Sequence, residues 1–218
     1  LTAAGYVTQL GLAAYDHFGT AVAIGNVVRT SAPTNPREVV VSAPGTEVTT
    51  VDNAGSLRVC QVDDVGVHDC AWWSQATAGV DDFAETDDNF GTMLAVGNFD
   101  GDAQEDLVIG TPLEDHLETN TGMVQVLRGS LDGLTTVGQQ TWHQAVSGVP
   151  DVQESGEQIG RALAVGDFND DGRPDLAIGV PYEPLGGFSQ GAVLVLYAEG
   201  PGLLFADGFE IGTTGHWN

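Results

Sequence analysis

Lysine is absent from this chain, and six Arg are its only strongly basic side chains against 31 Asp and Glu, a formal net charge of −25. A surface so poor in cations cannot neutralise phosphates, which argues against nucleic acid as a partner. The carboxylate excess favours solubility but makes the protein repel itself, a cost that bound cations or a saline exterior would relieve. Long apolar runs are also missing. No stretch reaches the roughly 18 apolar residues of a spanning helix, so no transmembrane segment is expected. The N-terminus has no basic segment followed by an apolar one, so the chain reads as a mature one.

Cysteine is scarce. Cys60 and Cys70 are the only two, and their flanks, SLRVCQV and CAWWSQA, look like two strands of one hairpin. A cross-strand disulfide is expected, and with it an oxidising compartment. Two buried free thiols are the alternative; no CxxC redox pair or zinc-type spacing is present. HExxH is lacking as well. His17, His68, His116, His143 and His216 are scattered and read as surface or rim residues, His116 alone lying in a locally acidic stretch beside Glu114 and Asp115. Among 31 carboxylates chance pairs are unavoidable, so no glycosidase-type acid pair follows from their presence. An enzyme is not expected.

What the chain does have is repetition. FGTMLAVGNFDGDAQEDLVIGTP at 90–112 returns as IGRALAVGDFNDDGRPDLAIGVP at 159–181, with a looser copy, FGTAVAIGNVVRTSAPTNPREVVVSAPG, at 18–45. The copies start 72 and then 69 residues apart, and Pro44, Pro112 and Pro181 are 68 and 69 apart, which makes one structural unit per period. Each unit runs through an apolar stretch, an acidic turn, a second apolar stretch, a Pro-containing loop and a Gly-led run (GSLRVCQV, GMVQVLRG, GAVLVLYAEG). The first two add a Trp- and Gln-bearing stretch, CAWWSQATAG and QTWHQAVSG. Short strands and no helical period predict an all-β chain of β-propeller blades, each of four antiparallel strands. The expected divisions are blade one at 15–82, blade two at 83–150, blade three at 151–200, and a tail at 201–218. Residues 1–14 form an N-terminal strand available to complete another blade.

Phe18-Gly19, Phe90-Gly91 and Ile159-Gly160, with Ala43-Pro44-Gly45, Gly110-Thr111-Pro112 and Gly179-Val180-Pro181, carry a resemblance over roughly residues 15 to 200. The chain resembles the FG-GAP repeats of integrin α-chain propellers and of many bacterial secreted proteins. That resemblance implies an extracellular module, secreted or at the cell surface.

The acidic turns are the candidate metal sites. In blade three, oxygens recur at loop positions 1, 3, 5, 7 and 9: Asp167, Asn169, Asp171, the Arg173 carbonyl, as in family members, and Asp175. In blade two the same positions hold Asn98, Asp100, Asp102, the Gln104 carbonyl and Asp106. Calcium takes six to eight hard oxygens, which a tight loop with alternating ligands aims inward, and Gly172 permits the bend. About two Ca2+ ions are expected, and they would change the formal charge from −25 to about −21 (−25 + 4). An EF-hand would need Glu at position 12, where Ile178 stands. The alternative is an Asx-rich turn with no metal, with more weight in blade two, where Ala103 replaces the Gly and Asn98 is neutral. In blade one Asn26 is followed by Val28 and an insertion, RTSAPTNPR, before Glu38, so no ion is expected there and Pro33 and Pro36 would hold the turn.

Trp72, Trp73 and Trp142 fall on the fourth strands and serve either packing between blades or contact with a ligand. Blade three lacks a clear fourth strand. Strand exchange with other copies of the chain, into a six-bladed dimer or a filament, would complete it, as would further blades of a longer propeller. The expected function is protein or glycan binding, adhesion or self-assembly. The alternatives are a structural filament subunit and a part of a secreted hydrolase. The ending, FADGFEIGTTGHWN, resembles the DGFE-type tails of secreted bacterial proteins, against the plainer reading of an unspecialised tail.

Overall fold

The computed structural model describes residues 13–28, 37–64, 66–147, 149, 152–185 and 188–198. Three antiparallel meanders carry the chain. The first sheet is β1 (Val22–Gly25), β2 (Arg37–Ala43), β3 (Ser56–Val62) and β4 (Val67–Trp73), in that spatial order. The second repeats it with β5 (Met93–Gly97), β6 (Asp106–Thr111), β7 (Met123–Arg128) and β8 (Thr135–Trp142). The third has β9 (Ala162–Gly166), β10 (Asp175–Val180) and β13 (Ala192–Leu196), with a small hairpin, β11 (Pro184–Leu185) and β12 (Phe188–Ser189), between the last two. The first strands lie side by side, β5 against β1 and against β9, as the innermost strands of radiating blades must. No helix among the described residues is long and apolar enough to cross a membrane.

Why the sheets stack is written in β6. Its six residues, DLVIGT, are all buried, because a strand covered on both faces reads as a continuous apolar run. Side chains on a strand point alternately to either face. Leu107 and Ile109 accordingly join Val40, Leu57 and Phe90 in the core between the first two sheets, and Val108 joins Leu176, Ile178 and Trp142 in the core between the second and third.

Backbone stitching fixes the spacing between neighbouring blades. The Phe90 amide donates to the Ala54 carbonyl at 2.9 Å, and one period later the Ile159 amide donates to Thr121 at 2.9 Å. Gly55 and Gly122 stand at this crossing with φ of +90° and +82°, and a Cβ on either would lie 2.4 Å from the Phe90 amide or the Ile159 carbonyl. Only glycine fits both the left-handed backbone and that approach.

Cys60 and Cys70 form the expected cross-strand disulfide, at an irregularity in the β3–β4 ladder between Val59 and Gln61. Blade three has three strands in its main sheet among the described residues. Residues 1–12, most of the expected donated strand, lie outside the described residues, as do the loop with Pro33 and Pro36 and the tail at 201–218.

Candidate metal sites

The two acidic turns occupy equivalent places. Gly97 pairs with Asp106 at the end of the β5–β6 ladder, and Gly166 with Asp175 at the end of β9–β10. Blade one keeps the register, Gly25 pairing with Glu38. Each of these acids is a buried clamp on its own turn. Asp106 accepts the Phe99 amide at 2.9 Å and the Gly129 amide at 3.1 Å; Asp175 accepts Phe168 at 2.8 Å and Ala198 at 3.0 Å; Glu38 accepts Val27 and Val28 at 3.1 and 3.2 Å. Burial, and then the charge of Asp100, push the Asp106 carboxyl up to about 7.

The remaining predicted ligands curl around their turns. In blade two the Asn98 side-chain oxygen accepts the Gly101 amide, Asp100 accepts that of Asp102, and Asp102 accepts that of Gln104. In blade three Asp167 accepts the Asp171 and Gly172 amides, Asn169 also accepts Asp171, and Asp171 accepts Arg173. Gly172 has φ +87°. Gly101, with φ +73°, is matched one period on by Asp170 at +59°, and blade two closes a turn of the same length with Ala103 where blade three has Gly172. Asp100 additionally meets Arg128 at 3.4 Å, so part of its charge is already matched. The donor sets are Asp and Asn side-chain oxygens with no soft ligand, which fits a hard cation such as calcium. In blade one Asn26 turns instead to blade two, its amide donating to Glu105 at 2.6 Å and its side chain to the Ala103 carbonyl at 3.3 Å.

A different acidic group draws together residues that the sequence leaves far apart. Ligand atoms of Glu85, Asp88 and Glu114 all lie within 4.8 Å of one another. Glu114 and Asp88 are buried. Burial, then the charges of Asp88 and Asp82, push Glu114 up to about 9; burial, with the charges of Glu85, Asp115 and Asp82, pushes Asp88 up to about 7. His116 faces Asp82 at 4.0 Å and stacks on His143 with ring centroids 3.8 Å apart. Burial and the neighbouring His116 lower His143 to about 4. The Trp residues divide: Trp142 is buried in the core between the second and third sheets, Trp73 packs against the core between the first and second, and Trp72 is exposed, with the Arg58 guanidinium 3.2 Å from its ring centre.

Sheets of this order, packed face to face with their first strands together, make the chain a β-propeller module. Its blades are of a known kind: the FG-GAP repeat model matches residues 90–127 and 159–196, so the chain carries FG-GAP repeats in its second and third blades. Phosphatidylinositol-glycan-specific phospholipase D is similar, at 34% identity over 114 residues for the Bos taurus protein (50% of this chain, 12% of that one) and 35% over 119 for the Homo sapiens protein (52% and 13%). Integrin alpha pat-2 of Caenorhabditis briggsae is 31% identical over 99 residues, 44% of this chain and 7% of that protein. The matches thus span only a small part of each of these relatives.

Proposed function

We propose that the chain is a calcium-stabilised, extracellular or surface-displayed propeller module that works by binding protein or glycan, or by assembling, and that it performs no catalysis of its own. The observation that carries this reading is the matched pair of oxygen-lined turns, Asn98 to Asp106 and Asp167 to Asp175, closing equivalent hairpins in register. A calcium ion held by Asn98, Asp100, Asp102, Asp106 and the Gln104 carbonyl, or by Asp167, Asn169, Asp171, Asp175 and the Arg173 carbonyl, would fasten the first two strands of its blade to each other. The role is structural. The disulfide supports an oxidising setting, and the likeness to an integrin α chain supports a surface one. Thermal unfolding with calcium against chelator tests the ion assignment. The midpoint should rise with calcium and the rise should shrink for Asp102→Ala and Asp171→Ala; equal midpoints would reject it.

A second reading, assembly, has its own observation. Phe99 is 0% exposed and Val124 0%, packed against blade three, whereas their counterparts one period on, Phe168 and Val193, are 49% and 55% exposed. On this reading blade three presents the face on which blade two receives a neighbour, and its occupant would be a further blade, whether from a longer chain or from a second copy. Sedimentation at rising concentration separates the two: association supports the second copy, and a monomer at every concentration rejects it.

A further inference from the structure

The two hairpin turns leave the Glu85–Asp88–Glu114 group unused, and it lies elsewhere. Asp106 opens β6 and Thr111 closes it, so Glu114, just past the strand, sits near the opposite rim from the turn, about 17 Å along at the usual rise per residue. Three segments meet there. Gln75 follows β4, Glu85 and Asp88 lie on the connection from blade one to blade two, and Glu114 begins the loop between β6 and β7. The Glu85 amide donates to Asp88, which fixes the two acids relative to each other. No Arg forms an ion pair with any of the three among the described residues.

An independent observation is Gln75, a neutral side chain only 3% exposed. Its Nε2 points into the group, donating to Glu114 Oε2, and Oε1, sealed from solvent, has no hydrogen-bond partner among the described residues. Glu114 Oε1 is likewise sealed and without a partner. A buried acceptor left unmade is costly, and here two such oxygens accompany crowded carboxylates. Oxygens bound to one calcium at about 2.4 Å can stand up to about 4.8 Å apart, and the ligand atoms of the three acids lie within that span. Glu85 is exposed and leaves a way in for an ion and its waters.

The set recurs. Adding 69 to Gln75, Glu85, Asp88 and Glu114 gives Gln144, Glu154, Glu157 and Glu183. There again the Gln Nε2 donates to the Glu Oε2, and the three acids are again exposed, buried and buried in the same order, but among the described residues only the Glu85–Asp88–Glu114 set gathers its ligand atoms within 4.8 Å.

We propose that Glu85, Asp88 and Glu114, with Gln75 Oε1, form a divalent-cation site for a hard ion of the calcium type. It ties the blade-one to blade-two connection to the loop after β6, at the rim away from the hairpin turns. Equilibrium dialysis against calcium, with bound ions counted per chain, tests this on the full chain. Four proteins are compared: the parent, a turn variant (Asp102→Asn with Asp171→Asn), a cluster variant (Asp88→Asn with Glu114→Gln), and the combination. The cluster substitutions keep side-chain shape and remove crowded charge, and circular dichroism checks that the sheets remain. The cluster variant should bind one ion fewer than the parent, and the combination one fewer than the turn variant. Unchanged counts in both comparisons would overturn the site. A turn variant that keeps every ion would sink the hairpin assignment and leave this one standing.

Discussion

Asp106 lies opposite Gly97 at the end of the β5–β6 ladder, and from there its carboxylate takes the Phe99 amide on one side and the Gly129 amide on the other. A strand-end acid thereby fastens both the turn before it and the end of β7. Asp106→Ala strips the acceptor from two amides, at about 1–3 kcal/mol for each buried group left unsatisfied. Asp106→Asn retains one acceptor oxygen and should cost less. Urea unfolding in chelator measures both, and an alanine variant with the parent midpoint would show that the carboxylate holds nothing.

The buried acids set a pH dependence whose sign runs against the usual one. Asp106 and Asp88 titrate at about 7 in the fold and Glu114 at about 9, each raised first by burial from values near 4. The folded state therefore keeps protons that the unfolded chain has released. Stability from these groups is fully present below the unfolded values and is lost as pH rises through the folded ones. His143 works in the opposite sense, because its folded value near 4 costs stability as pH falls below about 6.5. From about pH 7.5 upward His143 is essentially neutral in both states, so in chelator the melting temperature should fall from about pH 7.5 to 9. A flat or rising profile would contradict the burial of these acids. Saturating calcium should flatten the fall, since ions compete with protons for the same oxygens.

Two glycines with the same backbone separate strain from crowding. Gly55 and Gly156 have φ of +90° and +86°, but a Cβ on Gly55 would lie 2.4 Å from the Phe90 amide and 2.5 Å from its carbonyl oxygen, whereas nothing lies within 4 Å of one on Gly156. Gly156→Ala should cost only the left-handed conformation, roughly 1–2 kcal/mol. Gly55→Ala must also push two blades apart and should cost clearly more. Equal costs in urea unfolding would mean that the close approach between blades gives way easily.

Much of this was legible in the sequence because it is local and repeated. The strands follow from apolar runs between turn residues, the disulfide from two strand-like flanks, and the register of Glu38, Asp106 and Asp175 from the period itself. The alignment of Glu38 with the two aspartates matters most, since its backbone clamp is preserved where the other oxygens expected to hold an ion are not. The Glu85–Asp88–Glu114 group was not legible, because Asp88 and Glu114 are 26 residues apart and meet only when two segments fold against each other at one rim. A signal existed in the recurrence of Gln, Glu, acid and Glu at the same offsets, but those positions lie outside the strand pattern that draws attention. Arg58 over Trp72 was hidden for a related reason: they are partners across the β3–β4 ladder, and a bulge next to Cys60 obscures that register in sequence.

Phe99 and Phe168 occupy one position in consecutive repeats, and their difference in exposure makes them a gauge of what covers blade three. Phe99 is fully buried, against Val165 of the next blade among others, so Phe99→Ala opens a cavity and should cost about 3–5 kcal/mol. Phe168, 49% exposed, has less to lose, and in an isolated monomer Phe168→Ala should cost well under half as much. A neighbouring blade from a second copy would change that. The cost of Phe168→Ala would then climb towards that of Phe99→Ala as protein concentration rises, because association and folding are linked by mass action. Unfolding midpoints across a hundredfold range of concentration decide between the cases. A Phe168→Ala cost equal to that of Phe99→Ala even at the lowest concentration would mean that this chain already covers its own third blade.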